Sequence, residues 1–269
     1  MKYQILTATV FTILTLQTAC TKDATKPDLA PVVNVKPTGT PLKSTNWSNS
    51  AKEEFTYNSD GSLKKTIGGL QNAGGHIRKF SYQNSVLIDI TKDDIKKNKF
   101  SYNTAGQISN IEEVVINDEH HGSRLDFDYN ATGTLKSMKY LQFDEFKSNL
   151  VATSTYEYDG QGMLTKAAIT YPAQPNRKIE YYFSDYSVEL QFLPWAVLDF
   201  WHLVQPDYTF FNYPLLSRLN KLPKKIITKL IVNGTLQETK TKAFNYTIDN
   251  RQLQKIEYVT DGVEVIFNY

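Results

Sequence analysis

The chain has 269 residues, enough for one large all-β domain or two small ones, and no composition break after residue 50 divides it. Thirty Lys and Arg against 28 Asp and Glu leave a formal charge of +2, which excludes both the basic footprint of a nucleic-acid binder and an acidic tail. Seventeen Tyr and fourteen Phe, with few long helical patterns, point to strands.

Met1-Lys-Tyr-Gln is a short positive leader, and Ile5 to Leu16 is an apolar run of signal-peptide length, too short to span a bilayer. Residues 1–19 therefore read as a signal peptide. Gln17-Thr-Ala-Cys20 resembles the lipobox of bacterial lipoproteins, with Leu16 and Ala19 fitting the pattern and Gln17 replacing its commonest aliphatic. Cys20 is the sole cysteine, and its place directly after the apolar run makes it the expected lipid attachment site rather than a catalytic or pairing thiol. Several acyl chains would hold the protein to a membrane essentially permanently. Thr21 to Ser50, with Pro27, Pro31, Pro37 and Pro41, shows neither periodicity, so residues 20–50 read as the lipidated Cys and a flexible tether whose ends lie roughly 30 Å apart. The expected address is the outer membrane of a Gram-negative bacterium, on its periplasmic or external side; Lys22-Asp23 weakly resembles a surface-export signal.

Residues 51–269 read as a single all-β repeat domain. Its unit is clearest at Leu125 to Leu135. Leu125, Phe127 and Tyr129 share one face of an extended chain and Asp126 and Asp128 the other. Asn130 to Gly133 suits a type I turn closed by a left-handed Gly, and Leu135 starts the return strand. Further copies run from Phe55-Thr-Tyr57 to Leu63, from Phe100-Ser-Tyr102 to Ile108, and from Tyr156-Glu-Tyr158 to Leu164. Weaker ones begin at Phe80-Ser-Tyr82, where Asn84 takes the left-handed place, and at Phe244-Asn-Tyr246. The residue between the aromatics is polar in all six copies, as expected of a sheet with one wet face. Asn233-Gly234 and Asp261-Gly262 are two-residue hairpin signals, and Val263 to Tyr269 alternates as a paired strand. Two strands per copy give about a dozen, and a twisted sheet of that size curls or closes. The expected fold is a curved antiparallel meander or partial barrel.

One region departs from the pattern. The insert at about residues 191–222 carries Pro194, Pro206 and Pro214 among aromatics, and Trp195, Leu198 and Trp201 at three-residue steps predict a short helix. It reads either as a plug completing the core or as a ligand platform of Trp195, Trp201, Tyr208 and Phe211, with the plug favoured because most aromatic clusters are core.

The Phe-x-Tyr, turn-Gly, Leu units resemble a loose version of the YD repeats of RHS-type shells, although Tyr-Asp itself occurs only at Tyr158-Asp159. Together with the lipobox and the run from Asn212-Tyr-Pro214 to Ile226, they resemble a domain-of-unknown-function family of bacterial lipoproteins with a porin-like fold. The resemblance spans roughly residues 50–269, implies a curved sheet or barrel, and brings no catalytic or binding residues.

Chemistry is sparse. There are four histidines, and Asp118-Glu-His-His121 is the one dense cluster of ligand-type residues; adjacent His in a strand point to opposite faces, so a solvated loop is expected there. No nucleophile elbow, zinc pattern or phosphate-cradling loop is present, so no catalytic residue, metal or cofactor is assigned. The sequence favours a non-enzymatic, membrane-anchored envelope lipoprotein that binds a glycan, peptide or envelope protein, or acts as a scaffold. The alternative is a membrane-inserted β-barrel, and a hydrolase using a carboxylate pair ranks last.

Overall fold

The computed structural model describes residues 39–70, 75–190 and 221–269. They form sixteen strands: β1 Ser44–Trp47, β2 Ala51–Tyr57, β3 Leu63–Leu70, β4 His76–Gln83, β5 Val86–Lys92, β6 Lys96–Tyr102, β7 Ile108–Val115, β8 Asp118–Tyr129, β9 Leu135–Phe143, β10 Ser148–Tyr158, β11 Leu164–Tyr171, β12 Gln174–Tyr186, β13 Pro223–Val232, β14 Thr235–Asp249, β15 Gln252–Tyr258 and β16 Val263–Asn268. Every strand pairs antiparallel with its neighbours in sequence, and β1 pairs with β16 to close a barrel.

The expected all-β antiparallel meander is thus present, but the dozen strands and partial barrel are corrected to sixteen strands and full closure. The shortfall has a local cause. Six even-numbered strands carry the aromatic wording recognised in the sequence; β12 and β16 do the same work with other spelling. In β12 an extra residue at Asp185, in a left-handed conformation (φ 56°), separates Phe183 from Tyr186. β16, read in the sequence as a paired strand but not counted as a copy, puts Phe267 into the same core. Closure also needs β1, which lies inside the stretch read as tether: Thr45 sits opposite Glu53 on one side and Phe267 on the other.

The repeat turns are as expected where Asn or Asp leads to Gly. Gly61, Gly106, Gly133 and Gly162 have φ between 73° and 83°, and the Gly133 amide donates to the Asn130 carbonyl at 2.8 Å. Asn233 and Gly234, at φ 53° and 75°, make the two-residue turn. Asp261-Gly262 does not: β15 ends at Tyr258, and the Gly262 amide returns to the Tyr258 carbonyl at 2.9 Å across a longer loop.

A bulge recurs one residue after the Leu of each unit. Tyr57 faces Leu63 while Thr56 faces Lys65, so Lys64 is extra; the same slip follows Leu87, Ile108, Leu135, Leu164 and Leu253. The extra residue turns the buried spacing on that strand from two to three: Leu87 with Ile90, Ile108 with Ile111, Leu135 with Met138, Leu164 with Ala167, and Leu253 with Ile256 are all buried. These residues and the aromatics Phe55, Phe80, Phe100, Phe127, Tyr156, Phe183, Phe244 and Phe267 belong to one contiguous cluster on the inner face. The residues between the aromatics, Thr56, Ser101, Asp128, Glu157 and Asn245, are exposed on the outside.

Candidate functional site: the polar half of the inner wall

The barrel has two unlike ends. We call lower the end holding the turns between β2 and β3, β6 and β7, β8 and β9, and β10 and β11, and upper the end with the turns at 93–95, 144–147 and 233–234. At the lower end a set of tyrosines joins those strand pairs that have no loop there. Hydroxyls of Tyr57, Tyr82, Tyr102, Tyr129, Tyr246 and Tyr269 donate to the carbonyls of Leu42, Leu63, Leu87, Ile108, Pro223 and Leu253 at 2.6–2.9 Å. Tyr186 does the same to Leu164. Each clip spans from the end of an even strand to the start of the odd strand before it. Burial pushes the Tyr57 and Tyr269 hydroxyls up to about 12 and raises those of Tyr82, Tyr102, Tyr186 and Tyr246 as well. Sequence reasoning placed these tyrosines inside, except Tyr186, which it did not single out, but missed the clip; its signal was the Tyr retained two places after the Phe at all of them but Tyr186.

Toward the upper end the inner face changes chemistry. Glu53 lies two residues above Phe55 and is therefore on the inside, opposite Gly68, which in turn lies opposite His76. Arg78 Nη1 donates to Glu53 Oε1 at 2.7 Å, and His76 Nε2 lies 3.9 Å from the same oxygen. Gly68 makes this approach possible: a Cβ there would stand 3.0 Å from Glu53 Cγ and 3.2 Å from His76 Nε2. On the same face Thr66 is opposite Arg78, Arg78 opposite Lys92, and Lys92 opposite Lys96. Lys96 reaches Glu113 at 2.9 Å. Across the barrel the Arg177 guanidinium lies over the Tyr171 ring at 4.9 Å.

The outer face is rich in charge, with Ile67, Ile77 and Ile266 exposed among the charged residues. Lys52, Glu54, Lys79, Asp128 and Glu157 are exposed there. Glu180 is buried at 7% exposure yet also faces outward, opposite Lys229 and Ala168. Burial alone would raise its carboxyl, but hydrogen bonds from Lys178, Tyr182 and Lys166 outweigh that and hold it down to about 2. The ammonium groups of Lys166 and Lys229 also sit over the Tyr182 ring, at 5.5 and 4.7 Å. Lys255 bridges Glu257 and Glu264 on the same outer face.

Of the residues singled out in sequence, Cys20 and the platform of Trp195, Trp201, Tyr208 and Phe211, with the helix expected around them, lie outside the described residues, as does His202. Asp118 to His121 opens strand β8 rather than forming a loop, because Asp118 pairs with Val115 across a two-residue turn. It stays solvated: His121 Nδ1 pairs with Asp118 at 2.9 Å, both side chains at least half exposed, which raises the imidazole and lowers the carboxyl. Among the described residues no group of three or more His, Cys, Asp or Glu is placed to hold a metal ion. The Glu53, His76, Arg78 and Thr66 set was not foreseen, because four hairpin positions meet only through register.

No protein-family model matches the chain, and neither does any curated protein. Solved structures do. The fold resembles that of a porin-like protein from Bacteroides uniformis. The two share 15% identity with a TM-score of 0.56, over 86% of this chain and 98% of that one. A porin-like protein from Bacteroides vulgatus matches at 13% identity and a TM-score of 0.48, over 86% and 99% of the two chains. Identities this low speak to fold, and the first match supports the closed antiparallel wall described above.

Proposed function

We propose that the chain is a non-enzymatic envelope lipoprotein, exported, attached through Cys20 to the outer membrane, with a barrel that stands in water as a binding or scaffold module. The observation that carries this reading is the distribution of the two faces. The inner wall at the aromatic level is filled mainly by apolar side chains, interrupted by the buried hydroxyls of Thr45, Thr66 and Ser154, and these residues are only 0–9% exposed, which leaves little room for water where a channel would run. The outer wall bears Lys, Glu and Asp from end to end, and a Lys facing lipid at the bilayer midplane costs about 2–4 kcal/mol. The ligand is expected to be a glycan, a peptide or an envelope protein, met at the polar upper mouth or on the aromatic insert.

The second reading is a barrel inserted in the membrane. Closure and the porin-like fold favour it. Charge placement and strand length oppose it: β2, β5, β6 and β15 have 7 residues, and β1 has 4, where a tilted spanning strand needs about 9–11. The deciding experiment is to export the chain with Cys20→Ser and purify it without detergent. A monodisperse, β-rich protein that adds no conductance to planar bilayers fits the first reading. Precipitation relieved by detergent, or discrete conductance steps, fits the second.

A further inference from the structure

We propose that the upper inner wall holds an oxyanion, the phosphate, sulfate or carboxylate group of a ligand, between Thr66, Arg78 and Lys92, with Lys96 completing the row. The proposal rests on the reading of a barrel surrounded by water, since its mouth must then be open to solutes.

The row is set by register. Thr66, Arg78, Lys92 and Lys96 lie directly opposite one another on β3, β4, β5 and β6, and strands about 4.8 Å apart make it roughly 14 Å long. Like charges directly opposite one another in a sheet repel, and here three stand side by side on the inner face. Two are offset within the protein: Glu53 accepts from Arg78 at 2.7 Å and Glu113 from Lys96 at 2.9 Å. Lys92, between them, is exposed and has no ion-pair partner among the described residues. A guanidinium has five N–H groups, and Glu53 takes one of Arg78's, fixing the group while leaving another edge free.

A second, independent observation points to the same place. The Thr66 side chain is fully buried, at 0% exposure, and its hydroxyl has no hydrogen-bond partner among the described residues. A buried hydroxyl left unpaired is unfavourable, and Thr66 is the direct ladder partner of Arg78. An oxyanion seated there accepts from the Thr66 hydroxyl, the free edge of Arg78 and the Lys92 ammonium, and its charge offsets the unmatched cation. Donors of this kind, one planar fork and one flexible ammonium, suit a tetrahedral or planar oxyanion.

The test is thermal unfolding of the whole chain carrying Cys20→Ser, titrated with inorganic phosphate against chloride at matched ionic strength. Glucuronate and glucose 6-phosphate serve as separate arms for the two sources of the group. The expected result is a saturable rise in Tm. That rise is abolished by Lys92→Gln and by Thr66→Val, and retained by Thr66→Ser and by Lys79→Ala, whose ammonium lies on the outer face. Which arm saturates at lower concentration names the ligand's acidic group. A linear, non-saturating rise that Lys92→Gln keeps is general salt stabilisation and overturns the site, as does no rise at all in a soluble, folded protein. Insolubility without detergent would instead overturn the reading on which the site rests.

Discussion

The lower and upper halves of the inner wall share strands, pairing and closure, yet their side chains do different work. The lower half repeats: a buried Leu or Ile, a bulge, a buried aromatic and a tyrosine clip recur around most of the barrel. The upper half does not repeat. Glu53, His76, Arg78, Lys92, Lys96 and Glu113 occupy one arc, and the facing arc holds Ile179, Leu230 and the Arg177–Tyr171 pair. A wall that needs only stability can use one solution many times, whereas a wall that meets a ligand needs different residues at each strand.

The largest effect that separates the halves should come with alkali. The clip tyrosines have raised folded values, so the stability they confer is fully present below their ordinary value near pH 10 and is lost as pH rises through about 12. Hydrogen exchange from pH 9 to 12 should show the lower strand ends opening first, and uniform opening would contradict the contrast. Phe127→Ala, in the lower half, should cost about 3–5 kcal/mol in urea unfolding. Arg78→Ala leaves the Glu53 carboxylate, whose side chain is only 10% exposed, without its hydrogen bond, and should cost about 2–3 kcal/mol. Tyr129→Phe removes one clip and strands the Ile108 carbonyl, for about 1 kcal/mol. Smallest is Gly162→Ala: at φ 78° with nothing within 4 Å of a new Cβ, it carries backbone strain alone, again about 1 kcal/mol or less.

What could be read in the sequence follows the same division. Phe-x-Tyr, turn, Gly and Leu are local, so Leu125 to Leu135 alone fixed a hairpin, its turn type and its buried face. Two features of the lower half escaped. The bulge after Leu87 or Leu135 turns period two into a three-residue step, which in sequence looks helical. The clip from Tyr129 to Ile108 joins residues 21 apart, and only pairing brings them together. The strand count fell short because β12 spreads its aromatics with an extra residue and because Ser44–Trp47 lacks any alternation strong enough to stand out from a Pro-rich approach. The upper row was out of reach for a plainer reason: Thr66, Arg78, Lys92 and Lys96 become neighbours only once three successive registers are known. The aromatic insert and Cys20 rest on sequence alone.

Cys20 being the sole cysteine makes the central claim about the two faces directly measurable. On a Cys20→Ser background, single cysteines at Thr56 and Thr155 on the outer wall and at Leu63 and Ile169 on the inner wall can be timed against a membrane-impermeant maleimide. The account predicts fast labelling at the first two and protection at the second two until the protein is unfolded. Protection of Thr56 and Thr155 in the presence of membranes, with Leu63 and Ile169 reacting freely, would contradict it.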